Sequence, residues 1–140
     1  MQCLCNFFLA ASLLLTSATQ AQLMRKLSDV QKLKERETLF IGKPLEKLLK
    51  EIGPEIRMAS AQSNRPDNLP GLIFFKFVDA KEYYKREKGK LYTTVIVSIK
   101  ENFDWDARRN SKSEDYTWIK EDEKKFGSLT VVRIGVLGEN

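Results

Sequence analysis

Hydrophobic positions along this chain follow a helical period in the first half and a two-residue period in the second. Over residues 42–54, Leu45, Leu48, Leu49 and Ile52 fall at i, i+3, i+4 and i+7, and Glu46, Lys47, Lys50 and Glu51 cover the opposite side. Pro44 suits the first helical turn, where a missing N–H costs nothing, and Gly53-Pro54 stops the helix. Upstream, Leu23, Leu27, Val30 and Leu33 or Lys34 give a thinner seam over residues 22–37. Ser28 and Gln31 suit a capping box that starts this helix at Asp29, with the first residues frayed. Residues 38–41 read as a short extended lead-in whose Phe40 or Ile41 staples onto the next helix.

Beyond Pro54 the alternation predicts strands. Residues 55–60 read as the first, and residues 61–71 as a loop by their Pro, Asn, Asp and Gly content. Residues 72–78 form a strong strand with Ile73, Phe75 and Phe77 on one face; Leu72, Phe74, Val78 and Lys76 on the other imply partial cover there too. The charged run 79–90 reads as a helical turn or an exposed hairpin loop ending at Gly89. Residues 91–99 give a second strong strand, with Thr93, Val95, Val97 and Ile99 opposite a more polar face of Tyr92, Thr94, Ile96 and Ser98. Residues 129–136 give a third, with Thr130, Val132, Ile134 and Val136 facing one way. Residues 101–127 are the least regular, and a strand is expected at 116–119 because long structureless loops are uncommon in compact domains. Helices first and strands afterwards predict an α+β fold: short N-terminal helices packed on an antiparallel sheet of about four strands.

The N-terminus changes the chemical inventory. No charged side chain occurs before Arg25, and an apolar stretch at 7–15 is followed by small residues, the form of a secretory signal. Cleavage is expected between Ala21 and Gln22, with Ala18 as a second junction; the one departure is an n-region without Lys or Arg. The apolar stretch is shorter than the roughly 20 residues of a membrane span. The organisation expected is therefore a signal peptide over 1–21, one α+β domain over 22–140, and a secreted or periplasmic destination.

Both cysteines, Cys3 and Cys5, fall in the segment removed, and neither lies at a junction where a lipid anchor would be attached. The chain has no histidine. The mature part thus lacks disulfides, thiolate nucleophiles, imidazole bases and His- or Cys-based metal sites, and no enzymatic activity or cofactor is expected. It keeps all 24 basic and 19 acidic side chains and the +5 balance. Interleaved charges of this kind favour weak attraction to anionic surfaces over nucleic acid.

The helix at 42–54 carries a resemblance. Gly42, Leu48, Ile52 and Gly53 are spaced like the helix signature of small exported SmpA/OmlA outer-membrane lipoproteins and of β-lactamase-inhibitor-protein relatives. Pro44 stands where those domains have Thr or Ser, and Pro54 comes one residue early. The resemblance implies short helices on one face of an antiparallel sheet and a role in binding other proteins; the lipid-anchor cysteine of the lipoprotein branch is absent.

Candidate chemistry concentrates in residues 101–120. Glu101, Asn102, Asp104 and Asp106 could offer oxygen ligands to Ca²⁺, but Arg108 and Arg109 follow where an EF-hand loop continues with acids and a glycine, so no metal site is assigned. Glu101, Asp104, Asp106, Glu114 and Asp115 are raw material for a carboxylate-based hydrolase, with nothing that fixes a separation between any two. Trp105, Arg108, Arg109, Tyr116 and Trp118 are residue types enriched at binding hot spots and form the expected contact surface. Trp118 serves equally well as core, and Trp105, between two aspartates, is the better surface residue. The expected function is an exported protein-binding module of the cell envelope, with an envelope or extracellular protein as partner. A carbohydrate- or cell-surface-binding module using the same aromatics is the alternative, and a hydrolase ranks last.

Overall fold

A computed structural model of the chain describes residues 21–68, 70–85, 87–105 and 116–138. The expected α+β architecture is present. Four strands, β1 (Met58–Ser63), β2 (Pro70–Lys76), β3 (Thr94–Ile99) and β4 (Val131–Leu137), form one antiparallel sheet in the order β1-β2-β3-β4. Helices α1 (Val30–Glu35) and α2 (Leu45–Leu49) precede it, α3 (Ala80–Tyr84) separates β2 from β3, and α4 (Lys120–Phe126) precedes β4.

The core lies on one face of this sheet. Ala59, Ile73, Phe75, Val95, Val97, Val131 and Ile134 are fully buried there against Val30, Leu33, Leu45 and Leu48. The stripe Leu45, Leu48, Leu49 and Ile52 is buried throughout, as its spacing requires. Pro44, however, stands just outside α2 in an extended conformation (φ −60°, ψ 142°) instead of inside its first turn. The N-terminal N–H groups of this short helix find backbone acceptors elsewhere: Leu45 N–H donates to Leu129 O (2.7 Å) and Glu46 N–H to Gly127 O (2.8 Å).

Several expectations are corrected. Residues 22–24 are pinned rather than frayed: Met24 is fully buried, its N–H donates to Glu51 O (3.0 Å), and its carbonyl accepts from Gly53 N–H (2.7 Å). The turn ahead of α1 is organised by the Asp29 carboxylate, which accepts from the N–H groups of Arg25 and Lys26 (both 3.2 Å), and not by the Ser28–Gln31 pair. The lead-in to α2 is a 3-10 turn (Glu37–Leu39) and not extended, and Phe40, not Ile41, enters the core. The first strand begins three residues later than alternation suggests, because pairing with β2 starts only at Met58↔Lys76.

In β4 a bulge resets the faces. Ser98 pairs with Arg133 and Ile99 with Val131, so Val132 is skipped; Val131 and Ile134 both point inward and Val132 is 47% exposed. The strand expected at 116–119 reduces to a single bridge, Thr117↔Met58, on the outer edge of β1. Directly after it comes α4, a helix that apolar periodicity does not mark, since Phe126 is its one buried apolar side chain. Its charges do mark it: Glu121, Asp122 and Glu123 in the first turn, Lys124 and Lys125 in the last, and Asp122 accepting from Ile119 N–H (3.0 Å).

Candidate functional site

The second face of the sheet carries a groove. Strand register puts Met58, Lys76, Thr94 and Leu137 in one row across all four strands, with Ser60 and Phe74 in the next. These residues floor a groove of about 460 Å³. The chain has four tyrosines, and all four line it: Tyr83 and Tyr84 from α3, Tyr92 from the approach to β3, and Tyr116 from the segment that pairs with β1.

Local chemistry explains why each wall stands where it does. Asp79 caps α3 by accepting Glu82 N–H (2.8 Å) and is paired with Arg57 (3.2 Å), which fixes the helix over the end of the sheet. Tyr116 is fixed through its backbone, whose carbonyl accepts Ala59 N–H (2.8 Å). Thr94, nearly buried, donates its hydroxyl to Tyr92 O (2.9 Å). The rings then follow one another: Tyr92 to Tyr83 at 6.1 Å, Tyr83 to Tyr84 at 5.5 Å, and Tyr84 to Tyr116 at 6.4 Å between centroids. The Lys76 ammonium lies 5.3 Å from the Phe74 ring centre and 5.2 Å from that of Tyr83, on a side chain only 8% exposed. At the rim, Tyr84, Leu91 and Leu137 are 65%, 56% and 50% exposed.

What this set can do is bind. Phenol hydroxyls donate and accept, aromatic faces and leucines take apolar groups, and Lys76 supplies a cation.

The residues expected from sequence to form the contact surface separate. Tyr116 lines the groove. Trp105 and Trp118 are half-buried elsewhere, both stacked on Phe126 at 5.1 and 6.5 Å, with Trp118 also edge-on to Phe75 at 5.1 Å. Arg108 and Arg109 lie outside the described residues, as do Asp106, Glu114 and Asp115.

Of the remaining carboxylate region, Glu101 and Asn102 are engaged in tying loops together. Glu101 accepts both the N–H (2.7 Å) and the hydroxyl of Thr130, while Asn102 Oδ1 accepts from the Arg65 guanidinium. Burial pushes the Glu101 carboxyl up, but the two Thr130 hydrogen bonds outweigh it and hold the group below its ordinary value. Among the described residues, no three His, Cys, Asp or Glu side chains gather closely enough to hold a metal ion.

Sequence reading did not bring the tyrosines together. Tyr83 and Tyr84 lie in the charged run 79–90 and Tyr92 on the polar face of a strand, and the one usable signal is the partial cover that Leu72, Phe74, Val78 and Lys76 imply for their side of residues 72–78. Comparison of the chain with protein-family models, with curated proteins and with solved structures returned no match.

Proposed function

We propose that this chain is an exported, non-enzymatic protein-binding module of the cell envelope that grips its partner in the tyrosine groove. The observation carrying this reading is the convergence of all four tyrosines on one concavity with an apolar, exposed rim. Tyrosine offers large amphipathic contact area at low conformational-entropy cost, and exposed apolar clusters on a small domain mark contact surfaces. Export rests on the signal pattern at 1–21, and the partner is accordingly an envelope or extracellular protein.

The groove favours a protein over a glycan. Sugar rings stack on flat aromatic faces, whereas successive tyrosines here are inclined by 43°, 79° and 54° and offer no common platform. Such a surface suits irregular side chains.

The test is photo-cross-linking in the cell of origin, with a photoreactive residue at position 84 in one variant and at position 105 in another, followed by mass spectrometry. A product beginning at Gln22, with one dominant protein captured from position 84, supports the reading. An uncleaved cytoplasmic chain overturns export, and capture from position 105 alone returns the contact to the tryptophans. Saturable quenching of fluorescence by oligosaccharides, without a captured protein, would favour the carbohydrate-binding alternative.

A further inference from the structure

Strand β4 is one edge of the sheet, and its two halves are finished differently. The first half is covered: Gly42 N–H donates to Val131 O (2.8 Å) and Val131 N–H to Lys43 O (3.0 Å). Beyond the bulge at Val132, Ile134 and Val136 stand opposite Val97 and Val95 in the pairs that exchange no ladder bonds, so their N–H and C=O groups turn away from β3. Ile134 N–H meets a side chain instead, the Glu37 carboxylate (3.2 Å), whose other oxygen holds Lys34 (2.8 Å). Among the described residues, no backbone group outside the sheet bonds to Ile134 C=O or to Val136. A depression of about 430 Å³ wraps this edge, from Gln31 and Lys34 of α1 round to Ile96 and Ser98 on the outward face. There is room for another strand beside ladder groups that lack one.

We propose that a second copy of the chain pairs with this edge, β4 against β4 and antiparallel about Gly135, and that Glu37 is the internal competitor that keeps the pairing weak. The edge is self-complementary. The open stretch 133–137 has Gly135 at its centre, and a two-fold axis there sets Ile134 against Val136 of the other copy, donors facing acceptors. Gly135 meets its own counterpart and brings no side chain to the axis. Arg133 falls opposite Leu137, so the like charges stay apart. Val132 and Leu137, 47% and 50% exposed, flank the centre on either side and come together in the pair, adding apolar cover. The bonds that start from Ile134 N–H form only when Glu37 lets go, and a charged side chain at an edge is one of the ways sheets resist such pairing. Pairing at this edge does not depend on what the tyrosine groove binds.

Sedimentation velocity over a concentration series of the purified chain reads the association. The unaltered chain should dimerise weakly, and Glu37→Ala about tenfold more tightly, because two further ladder bonds form in each dimer. Adding Val136→Pro should abolish the gain, since proline removes an edge donor without taking a bond from β3. Register is read by disulfide trapping in a chain with Cys3 and Cys5 changed to Ser. Gly135→Cys fits the fold, its Cβ an ordinary 3.6 Å from Ile96 Cβ, and the two copies of position 135 stand about 4.5 Å apart across the axis, within disulfide reach. Val132→Cys is the control, because its two copies stand about 20 Å apart by strand rise. Trapping from 135 and not from 132 supports the pairing. A monomer in every variant overturns it, as does association that survives Val136→Pro. Equal trapping from both positions also overturns it, since that would be collision of exposed apolar residues without register. A chain that stays monomeric, but whose Val136 amide is protected from exchange by an added Thr-Val-Thr-Val-Thr peptide, overturns the second copy as occupant and leaves the edge to a foreign strand.

Discussion

Trp105 lies stacked on Phe126, with ring centroids 5.1 Å apart and planes 26° from parallel. Phe103 (5.9 Å) and Trp118 (6.5 Å) approach the same ring, so a buried side chain of α4 is the common centre of three other aromatics. Phe126→Ala should therefore cost about 3–5 kcal/mol in urea unfolding. Because both tryptophans lose cover, native-state emission should also shift to the red. An unchanged midpoint and spectrum would mean that α4 does not dock on this cluster.

Acid should weaken the tie between Glu101 and Thr130. The carboxylate is held below its ordinary value of 4.5, so its contribution is fully present above that pH and is lost as pH falls through the depressed folded value. Glu37 behaves alike: the Lys34 ammonium and, next, Ile134 N–H hold its carboxyl down. The urea midpoint should fall on acidification from about pH 5 to pH 3, and Glu101→Gln should be less stable at neutral pH with a shallower acid slope. An identical slope in the variant would remove Glu101 from the account.

Arg65 acts at the same end of the sheet as the Glu101–Thr130 tie. Its Nη2 donates to the carbonyls of Ile99 (2.5 Å), Lys100 (2.9 Å) and Glu101 (3.1 Å), and its Nη1 to the Asn102 side chain. A lysine carries charge to one point and cannot reproduce a planar fork. Arg65→Lys should lose about 1–3 kcal/mol, nearly as much as Arg65→Ala. Retention of stability by lysine alone would show that charge, not geometry, holds the loop.

At Gly53 a methyl group would stand 2.9 Å from both Met24 O and Gln22 Oε1. Gly53→Ala should push residues 22–24 off the end of α2, costing about 1–3 kcal/mol. Amide exchange can locate the damage: Met24 N–H, bonded to Glu51 O, should lose more protection than the amides of β3. Uniform loss across the domain would count against a local clamp.

How far the fold could be read from the chain depends on whether a residue's environment is set by its neighbours in sequence. The stripe of α2, the inward alternation of Ile73 and Phe75 in β2, and that of Val95, Val97 and Ile99 in β3 follow from local periods, and the structure buries all of them. Composition also determined what the lack of histidine excludes, imidazole bases and His-based metal sites. Tertiary structure decided what depends on a partner. Val132 faces outward because β3 and β4 pair around a bulge, which alternation within β4 alone does not contain. Met24 is buried because the end of α2 supplies its hydrogen bonds, and α4 is held by one phenylalanine against aromatics from distant segments. The groove is the extreme case: its tyrosines lie in three separate stretches, and only sheet register and the docking of α3 bring their rings within 5.5–6.4 Å of one another. Periodicity reports which way a side chain points from its own element; which side chains it meets is set by how the elements pair.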